Sequence, residues 1–250
     1  MPASDLQSLC ELGQQQLERM EYLAAEATLI DAESLASAQG DFDTLARLYM
    51  PLQEARRQRR QRCGEGVVCL DLIARGPEDQ ISGGDIIDKY PHGQLLVAAW
   101  GSIKPAQDVR ALQKQRGLYV ETFLGAAYPI NAGRGVVIAP LEDVSLPAVD
   151  ANRSIDELIR LLPAHCTVLN ETELPRGPRP GNWKTYAEVM AMWERQHAPF
   201  LAAADQTIEP RAKIEAYRKT IRVDYACEFA HQRLSDTARI YARQQRAGAH

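Results

Sequence analysis

The groups with the most definite chemistry in this chain are a serine, a lysine and an arginine set among glycines. In Trp100-Gly101-Ser102-Ile103-Lys104-Pro105 a hydroxyl and an ammonium precede a proline suited to the first turn of a helix. The unpaired amides of such a turn attract anions, with Ser102 and Lys104 beside them. In Gly125 to Gly135 the glycines permit close backbone approach, and Arg134, next to Gly133, has the planar fork that grips phosphate with two hydrogen bonds. Gly101, Ser102, Lys104, Gly133 and Arg134 are therefore the candidate ligand-binding residues, and a small phosphorylated molecule is the ligand they fit. A third glycine-proline segment, Arg75-Gly76-Pro77-Glu78-Asp79, follows another apolar run. All three also read as ordinary connecting turns.

Other reactive types are dispersed. His92, His165, His197, His231 and His250 form no pair at metal-binding spacing, and His231 reads as a packing or surface residue. The five cysteines, Cys10, Cys63, Cys69, Cys166 and Cys227, are odd in number and make no CxxC pair, which fits free thiols in a reducing compartment. Neither a metal nor a cofactor is expected, since no GxSxG, Walker or GxGxxG pattern stands in a suitable context. Asp71, inside an apolar run, reads either as an acid facing a ligand cleft or as the mark of a sheet edge.

The sharpest charge feature is Arg56-Arg57-Gln58-Arg59-Arg60-Gln61-Arg62. Positive charge at a helix end complements the helix dipole. The same run, through Arg56, Arg59 and Arg60, is the candidate docking site for an acidic partner or phosphate.

These residues need elements to hold them. Residues 4–62 are rich in Leu, Ala, Glu, Gln and Arg with apolar residues near helical spacing, which predicts helices over 4–19, 21–38 and 42–62, with a kink or restart at Pro51. After Gly64-Glu65-Gly66, short apolar runs at 67–74, 94–100, 118–124, 136–139 and 167–169 predict strands. Several are continuous rather than alternating, as in parallel strands covered on both faces. Helices are expected between them over 83–89, 105–116 and 154–162, the last opened by a Ser154/Glu157 capping box. Residues 173–182, dense in Pro and Gly, are expected to be a linker, followed by helices over 183–204 and 210–246. Trp193, Phe200, Leu201, Ile214, Tyr217, Ile221, Phe229 and Leu234 are the expected packing residues there. The fold class expected is α/β: a central, mostly parallel sheet domain over 64–172, flanked in sequence by helical segments over 1–63 and 183–250.

Leu12-Gly13, Ala25 and Ala32 fall where the tetratricopeptide repeat places its Leu-Gly pair and later small residues. The segment from Lys213 to Tyr225, followed by Leu234-Ser235, resembles the second helix and closing turn of such a repeat. Both ends of the chain thus resemble tetratricopeptide-like hairpins, which implies presentation of a groove to a protein partner or a second copy of the chain. Gly93 to Ser102, then a helix, then Gln115 to Thr122, is similar to the core of sugar isomerase domains. That similarity implies phosphosugar binding at the loop after the strand, where only Ser102 matches the family's hydroxyl-rich loop.

Composition bounds the rest. At 45% hydrophobic and 25% charged, the 250-residue chain has the balance of a soluble globular protein. A formal charge of -4 gives no global field for nucleic acid, and no apolar run is long enough for a membrane span. The first residues lack a signal peptide's pattern, so a cytoplasmic location is expected. The leading functional expectation is an interaction or adaptor protein, and the alternative is an enzyme or sensor for a phosphorylated metabolite.

Overall fold

Two stretches of helix, separated by some 130 residues of α/β sequence, form one unit. The architecture comes from a computed structural model that describes residues 6–131, 133–148 and 152–248. Positions 4 and 5 of the expected first helix, Ala132 of the expected loop and His250 lie outside the described residues. The first unit comprises residues 1–60 and 197–250, the second residues 61–196.

The first unit contains α1 (Leu6–Glu18), α2 (Tyr22–Gln39), α3 (Phe42–Glu65) up to Arg60, the end of α7 (Trp183–Gln206) from His197, α8 (Pro210–Val223) and α9 (Glu228–Gly248). Its core joins both ends of the chain: Leu29, Ala32 and Ala36 of α2, Leu45, Leu48, Tyr49 and Leu52 of α3, and Ile214, Tyr217, Ala230 and Leu234 of α8 and α9. Small residues set the approach of α1 to α2, since a Cβ on Gly13 would stand 2.7 Å from the Leu29 side chain. Helix α3 runs unbroken through Pro51. The helical stretch expected over 210–246 is two helices that break at Asp224-Tyr225-Ala226-Cys227, where the segment ending at Tyr225 resembles a closing turn; the Asp224 carboxylate accepts a hydrogen bond from the Ala226 amide (3.1 Å) and gives the backbone an alternative to the helical ladder. Phe229, an expected packing residue, is exposed.

The second unit is built on a six-stranded mixed sheet of β1 (Val67–Ile73), β2 (Gly93–Trp100), β3 (Val120–Ile130), β4 (Gly133–Ala139), β5 (Thr167–Asn170) and β6 (Arg179–Pro180). The order is β5-β4-β3-β2-β1-β6. Strands β1, β2 and β3 are parallel, while β4, β5 and β6 are antiparallel additions. Both faces are covered, as the continuous apolar runs require. Leu95 and Val97 of β2 pack on one side with α4 (Gly83–Lys89), α5 (Lys104–Arg116) and α6 (Ile155–Leu161), and Leu96 and Ala98 pack on the other with Val189 and Trp193 of α7. Trp193 stacks on Phe123 with ring centroids 4.2 Å apart. The Ser154/Glu157 capping box opens α6.

Two expectations change here. The segment 125–135, read as a ligand loop, is mostly strand: β3 continues to Ile130 and pairs Ile130 with Gly133, because Tyr128 and Ile130 carry buried apolar side chains the sheet can cover. The segment 173–182, read as a linker, is pinned to the sheet. β6 pairs with β1, and the Gly181 amide donates to Gly66 O at 2.8 Å, an approach so close that a Cβ on Gly181 would stand 2.1 Å from Gly64 O.

Candidate functional site

The loop after β2 turns through Gly101, whose φ of 61° lies in the left-handed region and whose amide still donates to Ala127 O at 2.9 Å. Gly101, Ser102, Ile103 and Lys104 then line a hollow of about 240 Å³ with Gln107, Glu142, Val144 and Leu146. The structure thus brings three of the five sequence-derived ligand residues together at the carboxyl end of a parallel strand. Their polar groups are already engaged: Ser102 Oγ accepts from the Lys104 amide at 3.2 Å, and Lys104 Nζ pairs with Asp108. Gly133 and Arg134 do not line this hollow. They open β4, and the Arg134 guanidinium pairs with Glu171.

The other segments resolve into structural roles. The loop Arg75 to Asp79 closes on itself through hydrogen bonds from the Arg75 amide to the Asp79 carboxylate and from the Asp79 amide to Gly76 O. Asp71 accepts from the Gly177 amide at 2.6 Å, tying the chain before β6 to β1, so it serves the sheet edge.

The arginine run behaves differently from a solvated docking face. Arg56 and Arg60 are buried, and Arg59 is largely so. Their charges are met inside the first unit: Arg56 Nε and Arg59 lie 3.1 and 2.8 Å from the two carboxylate oxygens of Glu26, and Arg60 lies 2.7 Å from Asp224 Oδ1. The Arg59 and Arg60 guanidiniums also lie over the Tyr225 ring, at 4.3 and 4.8 Å from its centroid. The physical reason is register. Leu45, Tyr49, Leu52, Arg56 and Arg60 recur every three or four residues, so the two arginines continue the apolar stripe of α3 into the core. Burial alone would raise the Glu26 carboxyl, but Arg59 and Arg56 hold it below its ordinary value.

Around Asp224 this charge network meets the groups of greatest chemical interest. His197 Nδ1 lies 2.7 Å from Asp224 Oδ2, and its side chain also hydrogen-bonds Cys227. Burial pushes the imidazole pKa down, but the bonds to Asp224 and Cys227 outweigh it and carry the pKa up to about 9. For Asp224, burial would favour the neutral acid, yet the Arg60 charge and the His197 hydrogen bond lower its pKa to about 2. His231 is the reverse case. Its Nδ1 meets the Cys227 carbonyl at 2.8 Å, which can only accept, so Nδ1 bears the proton and Nε2 accepts from Arg56 at 3.0 Å. Burial and the Arg56 charge push its pKa down to about 3, leaving it neutral.

His197, Asp224 and Cys227 together offer one nitrogen, one oxygen and one sulfur within 4.8 Å of one another. Among the described residues these are the cluster that could hold a metal, and sequence reasoning missed it. The available signal was the spacing Asp224-x-x-Cys227-x-x-x-His231, which places a helix break, a thiol and an imidazole on one local frame. His197 comes from a separate helix and carries no local sign of its role.

A second hollow, about 400 Å³, lies on the first unit between the turn joining α1 to α2 and the middle of α3, lined by Gln14, Leu17, Glu18, Met20, Tyr22, Pro51 and Glu54. Met20 stands in the turn with φ of 60° and 65% of its surface exposed. No helix among the described residues is long and apolar enough to cross a membrane. Compared with known proteins, the chain matches no family model, no curated protein and no solved structure.

Proposed function

We propose that this chain is an interaction protein, in which tetratricopeptide-like helices of the first unit dock a segment of a protein partner in the hollow between α1, α2 and α3. The observation that carries this reading is Met20. A large apolar side chain that lines that hollow stands in a left-handed backbone conformation, at the end of α1, that costs a non-glycine residue about 1 kcal/mol or more. Leu17, Tyr22 and Pro51 give the hollow apolar lining, and Glu18 and Glu54 add carboxylates to it. The chemistry suits a partner segment with an apolar anchor and a neighbouring basic residue. With Arg56, Arg59 and Arg60 committed internally, this hollow replaces the arginine run as the docking surface.

The test compares proteins that co-purify with the native chain and with Met20→Glu. A specific partner retained by the first and lost by the second supports the reading, and a partner set that is empty or unchanged sinks it.

A second reading, a sensor or enzyme for a small phosphorylated metabolite, draws support from the hollow at Gly101, Ser102 and Lys104. It requires Lys104 to exchange Asp108 for the ligand, next to the Glu142 carboxylate. A thermal-shift screen with sugar phosphates and nucleotides tests it, since a ligand at about 100 times its Kd stabilises by about 2.7 kcal/mol. No shift with any phosphate removes this reading.

A further inference from the structure

We propose that His197, Asp224 and Cys227 form a site for one divalent cation of borderline softness, with Zn²⁺ the ion their donor set fits. The three residues converge from two places in the fold: His197 stands on α7, and Asp224 and Cys227 bracket the break between α8 and α9. Their imidazole nitrogen, carboxylate oxygen and sulfur all lie within 4.8 Å of one another. A thiolate beside an imidazole selects zinc over magnesium or calcium, which take oxygen donors. Three protein ligands are also the number used by zinc sites that take a fourth ligand from solution.

The separation of His197 from Asp224 is shorter than a tetrahedral ion imposes, and all three ligand atoms lie within 4.8 Å of one another. Bonds of about 2.0 to 2.3 Å hold neighbouring ligand atoms roughly 3.3 to 3.7 Å apart. His197 Nδ1 and Asp224 Oδ2 are 2.7 Å apart, bridged by a hydrogen bond, so the ion takes the place of that proton and opens the pair by about half an ångström.

The surrounding groups behave as an outer layer that orients the ligands. Arg60 at 2.7 Å and the Ala226 amide at 3.1 Å both occupy Asp224 Oδ1, which leaves Oδ2 as the oxygen turned to His197. His231 donates to the Cys227 carbonyl at 2.8 Å and so fixes the backbone that carries the sulfur, while Arg56 holds His231 from its other nitrogen. Arg60 opposes a cation by its charge but sits on the far oxygen of Asp224. Deprotonation of the thiol compensates, since uptake of the ion is coupled to loss of protons from its ligands.

The test uses the full chain, stripped with a chelator and titrated with Co²⁺ and Zn²⁺. One equivalent of Co²⁺ is expected to produce the near-ultraviolet absorption of a thiolate–cobalt bond, and one equivalent of Zn²⁺ to abolish it. Cys227→Ser should lose the band and Cys10→Ser should keep it. X-ray absorption of the one-to-one zinc protein, which needs no variant to fold, should give a single sulfur at about 2.3 Å with nitrogen and oxygen completing the shell. No band at stoichiometric Co²⁺, a band that survives Cys227→Ser, or a zinc shell with no sulfur or with several overturns the proposal.

Discussion

Arg60 and Asp224, remote in sequence, meet at 2.7 Å with 2% and 1% of their side chains exposed. The pair is the hinge of the polar core of the first unit, because Asp224 is shared with His197 and Arg60 with the Tyr225 ring.

Removing one member leaves the other charge buried. Arg60→Met is therefore expected to destabilise the chain by about 3 to 5 kcal/mol, and the double variant Arg60→Met, Asp224→Leu by less than the sum of its singles. Urea unfolding of the two single variants and the double variant measures this, and strict additivity would contradict the pairing.

Stability should peak near pH 6.5 in the metal-free protein. His197 has a folded pKa raised to about 9, so its contribution is complete below 6.5 and is lost as pH rises through 9. His231 has a folded pKa depressed to about 3, so its contribution is complete above 6.5 and is lost as pH falls toward 3, with Asp224 adding a further loss from its ordinary 3.8 down to about 2. Melting temperature against pH should show both limbs. His197→Gln should flatten the alkaline limb and His231→Gln the upper part of the acid limb.

Met20→Gly should raise stability by about 1 kcal/mol, because glycine occupies the left-handed region without the clash that Met20 bears. The same substitution should weaken partner docking. A stabilised protein with undiminished docking would detach Met20 from the proposed surface.

Trp193→Ala removes the ring stacked on Phe123 beneath the sheet of the second unit. A loss of about 3 to 5 kcal/mol is expected from calorimetry or chemical unfolding.

Local pattern carried most of the elements. The run Leu95 to Trp100 announces a strand covered on both faces, and Ser154/Glu157 announces a capped helix, because both signals lie within a few residues. What escaped depends on distant partners. Arg56 and Arg60 read as a charged surface until Glu26 and Asp224 are brought to them, although their spacing from Leu52 already placed them on the buried face of α3. The extension of β3 through Pro129 was masked by a proline and by glycines that suggest a loop. His197 had no signature at all, since its role comes from a helix break nearly thirty residues later. At the carboxyl end of β2 the reading was closer: Gly101, Ser102 and Lys104 do share a hollow, and Arg134 belongs to the start of β4.

The sheet's borders are both short strands. On one side the last ribbon is only two residues long and ends in Pro180, which has no amide proton to offer; on the other it is four residues long and runs straight into the 3-10 turn Glu171–Glu173. Each outermost strand thus offers an incoming chain only a short ladder, which disfavours self-association by pairing along it.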